Sequence, residues 1–174
     1  MKDITDIIQT QEHIKTLAYT DFLTSLKNRR SLYHYLENDL ANKNIPLTVL
    51  FIDLDNFKKL NDSFGHHVGD KALVHIAEKL ANICDDAFVA RVGGDEFVVI
   101  WEQISDEILT QKLDLLLNKM RTEFSRGEYA NIVSVSIGVV RNECSSGDVE
   151  TILLKGDLAV YKAKEKGNNQ YVIY

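Results

Sequence analysis

Two stretches of this sequence put carboxylates where a buried strand should begin or end. In "RVGGDEFVVI", Arg91 to Ile100, two glycines are followed by Asp95 and Glu96 and then by an apolar run suited to a core. In "FIDLDNFKKLNDSFGHHVGD", Phe51 to Asp70, Asp53 and Asp55 close a second apolar run. Side chains two apart on a strand share a face. Like charges held together there are unfavourable unless a cation or hydrogen-bond donors neutralise them. Taken alone, Asp55 reads equally well as a cap on the following turn and Asp53 as a solvated strand end. If the segment around Gly93 is a hairpin beside the Asp53 strand, three or four carboxylates converge at one end of a sheet. Hard oxygen donors of this type suit Mg2+, which binds one or two carboxylates together with substrate phosphates. That is the arrangement of metal-assisted phosphoryl transfer. Gly93 and Gly94 are expected to allow the positive dihedrals of a tight turn and to leave the backbone open to a phosphate.

The elements that must position these groups follow from hydrophobic periodicity. "PLTVLFIDLD" is an apolar run buried on both faces, hence a central strand. "AFVARV" and "EFVVIWE" are strands joined by Gly-Gly-Asp as a hairpin. "NIVSVSIGVV" and the short "QYVIY" are further strands. Helices are expected over "RRSLYHYLENDLANK", over "HHVGDKALVHIAEKLANIC" with Leu73, Ile76, Ala77 and Leu80 on one stripe, over Asp106 to Phe124, and over "DVETILLKGDLAVYKAKEKG". Strands and helices alternate around the hairpin. The fold class is therefore α/β, an α+β sandwich with a mixed central sheet and helices on both faces. Ahead of it, Ile4, Ile7, Ile14 and Ala18 form a short heptad seam, with Gln11 in its polar gap. The seam reads either as a dimerising segment or as one helix packed on its own domain. Residues 1–20 are thus set apart as an N-terminal helix and residues 21–174 as one domain.

Composition narrows the function. The 174 residues, 45% hydrophobic and 26% charged, suit one globular unit. A net charge of −6 argues against general nucleic-acid binding, which needs a basic surface. Cys84 and Cys144 lack metal-ligand spacing and read as thiols in a reducing compartment, so a cytoplasmic location is expected. The apolar run "LTVLFI" is too short to span a bilayer.

The motifs also carry a family resemblance. "GGDEF", Gly93 to Phe97, resembles the signature of the GGDEF-domain diguanylate cyclases, and "DFLTSLKNRR", "DLDNFKKLNDSFGHHVGDKAL", "SVSIGV" and "DLAVYKAKEKGNN" resemble that family's other motifs. The resemblance covers Asp21 to Tyr174. It implies a palm-like sheet shared with nucleotidyl cyclases and some polymerases, and an enzyme that condenses two GTP into cyclic di-GMP and two pyrophosphates. It implies two Mg2+ per half-site, or Mn2+ in their place, held by Asp53, the Leu54 carbonyl, Asp95 and Glu96. Asp95 is also the family's acceptor for the proton of the attacking 3′-hydroxyl. Lys58 and Arg91 would stabilise charge developing on the phosphates, and Lys164 would contact the triphosphate. Phe57 and Lys58 would lie on a turn whose N–H groups cradle phosphate, with Gly93 and Gly94 beside them. Asn61 and Asp70 would read guanine: an ionised carboxylate matches the N1 and N2 donors, and an amide donates to O6. His66 falls on a substrate-contact position, whereas His67 belongs to the surface.

Each GTP must present its 3′-hydroxyl to the other's α-phosphate, so turnover implies a homodimer, with a sensory domain upstream as a further expectation. Two departures stand out. Asn168 occupies a position where the family often has Arg, and "CDDA", Cys84 to Ala87, replaces the Arg-x-x-Asp that binds product and inhibits many relatives. The first leaves open a catalytically silent module that binds GTP and regulates.

Overall fold

A computed structural model describes residues 4–125, 132–144 and 148–174. Five strands form one mixed sheet in the order β2-β3-β1-β4-β5. They are β1 (Pro46–Asp55), β2 (Phe88–Arg91), β3 (Glu96–Glu102), β4 (Ser134–Cys144) and β5 (Gln170–Ile173). β1 is central and antiparallel to both β3 and β4, and β5 is added parallel to β4. Central placement explains the near-continuous apolar run of β1, because helices cover both of its faces.

Alternation along β1 divides the core in two. Leu50, Ile52 and Leu54 join Phe97, Val99 and Trp101 beneath α4 (His66–Ile83) and α5 (Asp106–Glu123), with Leu60 of α3 (Phe57–Phe64) in the same cluster. Val49 and Phe51 join Val98 and Ile100 on the opposite face, under α2 (Arg29–His34) and α6 (Val149–Glu165). The expected stripe of Leu73, Ile76, Ala77 and Leu80 is buried.

The helix expected over "RRSLYHYLENDLANK" is less regular than its periodicity suggests. It is α-helical to His34 and continues as a π-helical turn from Tyr35 to Leu40, which buries Leu36 and Leu40. Tyr35 stacks on Phe88 and donates its hydroxyl to Glu102, so tertiary contacts of the Tyr35 ring accompany the widened turn.

The N-terminal helix α1 runs Ile4–Tyr19. Ile4, Ile8, Ile14 and Leu17 are exposed, so these residues do not pack against the chain's own core. The side chains of Ile7 and Gln11 in the expected seam lie outside the described residues. Among the described residues no helix is long and apolar enough to cross a membrane.

Candidate active site

The register of β1 on β3 sets Asp53 directly opposite Glu96. One residue on, the Leu54 amide donates to the Asp95 carbonyl at 3.2 Å, which fastens the hairpin turn to the end of β1. Like charges directly opposed across strands destabilise a sheet. Burial pushes the Asp53 carboxyl above its usual range and Asp95 and Asp55 add to the rise, while Lys164, with Nζ 2.5 Å from Asp53 Oδ1, pulls it back. The Glu96 carboxyl is raised by partial burial and then by Asp53, Asp95 and Asp157, with Arg29 offsetting part of that repulsion.

The two glycines act otherwise than expected. Neither Gly93 nor Gly94 has a positive φ. A Cβ on Gly93 would collide with the Glu96 carboxylate, so the small residue makes room for that side chain, and space around Gly94 is open.

Asp55 departs from both readings of it. It is 3% exposed and accepts from Ser134 Oγ at 2.6 Å, Ser136 Oγ at 2.8 Å and the Asn169 amide at 3.3 Å. It does not cap the next helix, whose N-terminal flank is Asn56 in a left-handed conformation without a side-chain cap bond. Asp55 instead ties the end of β1 to β4 and to the turn after α6. The converging cluster is therefore Asp53, Asp95 and Glu96. Ser134 and Ser136 alternate in "SVSIG", a signal that needs the β1–β4 register before it can be read.

Arg91 is fully engaged. Nη1 donates to Asp21 at 3.0 and 3.2 Å, and Nε and Nη2 donate to the Gly94 carbonyl at 3.2 and 2.8 Å. Burial pushes Asp21 up, but hydrogen bonds from Thr24 and the Arg91 charge outweigh it and hold the carboxyl below its usual value. The "DFLT" turn is thereby clamped to the hairpin, and Arg91 fixes the turn's position.

Of the predicted residues, some border one of two clefts and others border neither. Asp53, Glu96 and Lys164 border a cleft of about 420 Å³ between α2 and α6, floored by Phe51. Asp70, Gly93 and Gly94 border a shallower neighbouring cleft with Leu23. Phe57, Lys58, Asn61 and His66 line neither cleft. Phe57 and Lys58 open α3, so the turn expected to follow β1 is the first turn of that helix. Lys58 and His66 are exposed. Asn61 Oδ1 is buried without a partner, an uncommon state for a buried polar atom. Gly69 permits it, because a Cβ there would strike that oxygen. Of the basic residues near the end of α6, Lys164 meets Asp53, whereas Lys162 lies over the Tyr174 ring.

These donors fit a hard divalent cation. Among the described residues no three Asp, Glu, His or Cys side chains form a group able to hold a metal by themselves. Magnesium does not need such a cage when phosphates complete its shell. The raised carboxyls of Asp53 and Glu96 mark a cluster that extra positive charge would relieve.

At Cys84–Ala87, the Asp86 carboxylate accepts from Trp101 Nε1 at 2.9 Å and Lys112 Nζ at 3.0 Å. Lys112 also donates to the Ile83 carbonyl at 2.7 Å. The Trp101 hydrogen bond, ahead of Lys112, lowers Asp86. Cys84 is buried, and burial pushes its thiol up to about 12.

With this geometry in place, residues 18–170 match the family described as diguanylate cyclase, GGDEF domain, and the chain belongs to that family of cyclic di-GMP signalling proteins. It is 35% identical over 178 residues to a diguanylate cyclase of Vibrio cholerae, covering 99% of this chain and 54% of that protein. It is 33% identical over 174 residues to the cyclic di-GMP phosphodiesterase PdeR of Escherichia coli, covering 99% of this chain and 26% of that one. The chain thus spans between about a fifth and about half of the length of such curated relatives. The solved structure of the active GGEEF domain of a diguanylate cyclase from Vibrio cholerae superposes with a TM-score of 0.72 at 31% identity, covering 84% of this chain and 96% of that one. The sheet is the palm-like fold of the nucleotidyl cyclases.

Proposed function

We propose that this chain is a diguanylate cyclase domain that condenses two GTP into cyclic di-GMP and releases two pyrophosphates. The observation that carries the reading is the opposed pair Asp53 and Glu96 at the turn that also presents Asp95, both raised first by burial and then by neighbouring carboxylates, Asp95 among them. A domain with a purely structural role gains nothing from crowding these charges. In each half of the reaction the 3′-hydroxyl oxygen of one GTP bonds to the α-phosphorus of the other. The bond from that phosphorus to the bridging oxygen breaks, and pyrophosphate leaves with the electron pair. In this reading Asp95 receives the hydroxyl proton.

Magnesium, or manganese in its place, supplies charge neutralisation on the triphosphate when bound; Asp53, the Leu54 carbonyl, Asp95 and Glu96 would hold it. Lys164, already beside Asp53, and Lys58 contact phosphate oxygens. Asp70 and Asn61 read the guanine edge, Asn61 through its amide N–H groups, and His66 contacts the substrate. Arg91 acts through the turn it holds.

The half-site handles one GTP, so turnover needs two domains face to face. The exposed Ile4, Ile8, Ile14 and Leu17 of α1 support residues 1–20 as the dimerising or signalling unit ahead of the cyclase domain, residues 21–174. Cytoplasmic GTP is the substrate pool.

Mass spectrometry after incubation with GTP and Mg2+ tests the reading. Cyclic di-GMP with two pyrophosphates per molecule is expected. GTP bound and left unconsumed would make the domain a silent regulatory module, a reading favoured by the uncharged Asn168, which sits at φ 61° in the turn after α6. ATP competing equally with GTP would remove the guanine assignment.

A further inference from the structure

Arg29 opens α2, and its side chain borders both clefts: the one that holds Asp53, Glu96 and Lys164, and the one that holds Asp70, Gly93 and Gly94. Among the described residues only Arg29 and Val92 line both clefts, so Arg29 is the cation beside any path that joins Asp70 to Asp53 and Glu96 through the two clefts. Other cations at this junction are engaged, Arg91 by Asp21 and the Gly94 carbonyl, and Lys164 by Asp53. Arg29 is exposed, and among the described residues its guanidinium has no hydrogen bond or ion pair; it lies 5.9 Å from the Tyr33 ring centroid. An aromatic face attracts a guanidinium without occupying its N–H donors. Glu96 lies near enough to feel its charge.

We infer that Arg29 is a substrate-positioning residue that binds the phosphate chain of the nucleotide where it crosses between the two clefts. Its planar fork matches paired phosphate oxygens in a way a lysine point charge does not. The inference rests on the GTP reading above.

Titration calorimetry with GTP and Mg2+, together with unliganded melting, tests it on the wild type, Arg29→Gln and Arg29→Lys. Arg29→Gln is expected to weaken GTP binding roughly 10- to 100-fold, the loss of one charge-assisted contact. Its unliganded Tm is expected to stay at the wild-type value, because the side chain holds no other element, and Arg29→Lys should recover part of the affinity. Unchanged GTP affinity in Arg29→Gln would overturn the inference, as would a loss accompanied by a lower unliganded Tm and not relieved by lysine. A wild type that binds no GTP would instead defeat the underlying reading, and the inference with it.

Discussion

At the hairpin end of the sheet, Asp53, Asp95 and Glu96 crowd together, and Lys164 is the cation bonded to Asp53. At Cys84–Ala87, another pair of adjacent acidic residues precedes another strand, yet Asp86 is bonded by the Trp101 indole and Lys112 and is lowered. The carboxyls of Asp53 and Glu96 are raised. Both regions read as acidic turns beside strands. What separates them is whether the fold itself supplies the donors. A carboxylate the fold has satisfied contributes stability, and one it leaves short of donors is kept for something that arrives from outside.

The largest effect that would test this contrast is on turnover. Asp53→Asn is expected to reduce cyclic di-GMP formation more than about a hundredfold while Tm stays level, since the proposed function makes Asp53 a ligand to the cation and the substitution also removes a crowded charge. A lower Tm with activity retained would place Asp53 with the structural carboxylates.

Smaller and of opposite sign are the stability effects of Asp86→Asn and Glu96→Gln in metal-free buffer. Asp86→Asn should cost about 1 kcal/mol at neutral pH, in keeping with an exposed ion pair plus one indole hydrogen bond. A lowered carboxyl stabilises above its unfolded value and loses that contribution as pH falls through its folded value, so this deficit should close on acidification. Glu96 behaves inversely. Its raised carboxyl makes the folded protein lose stability as pH rises from the ordinary glutamate value through the raised one, so Glu96→Gln should melt higher above that window and level with wild type below it. Thermal melts from acid to neutral pH check both, and parallel pH profiles would erase the distinction.

The smallest expected effect is a null one. The Cys84–Ala87 face has neither end of the product-binding Arg-x-x-Asp, and of its two carboxylates Asp86 is already bonded to Trp101 and Lys112. Cyclic di-GMP should not bind there. A micromolar or tighter dissociation constant that Asp86→Asn weakens would contradict this.

The central strand, the hairpin and the stripe of α4 were legible in sequence because each obeys one periodicity enforced by burial. Asp53 and Glu96 were legible as neighbours once the hairpin was placed beside "LTVLFIDLD". The division of labour between Asp53 and Asp55 was not, since both lie on the same strand with the same spacing. Only pairing with β4, which brings Ser134 and Ser136 under Asp55, tells them apart. Arg91 invited a phosphate role by its place ahead of the signature, but its bond to Asp21 spans 70 positions and no local pattern reveals it. The π-helical turn at Tyr35–Leu40 escaped for the same reason, because the ring contacts that accompany it come from β2 and β3.

The most direct test of the account is cyclic di-GMP formation from GTP and Mg2+ across a wide dilution series, wild type against Asp95→Ala. The account predicts a specific rate that climbs with protein concentration, as two half-sites assemble, and no product from the variant at any concentration. A specific rate that is constant on dilution, or product from Asp95→Ala at the wild-type rate, would contradict it.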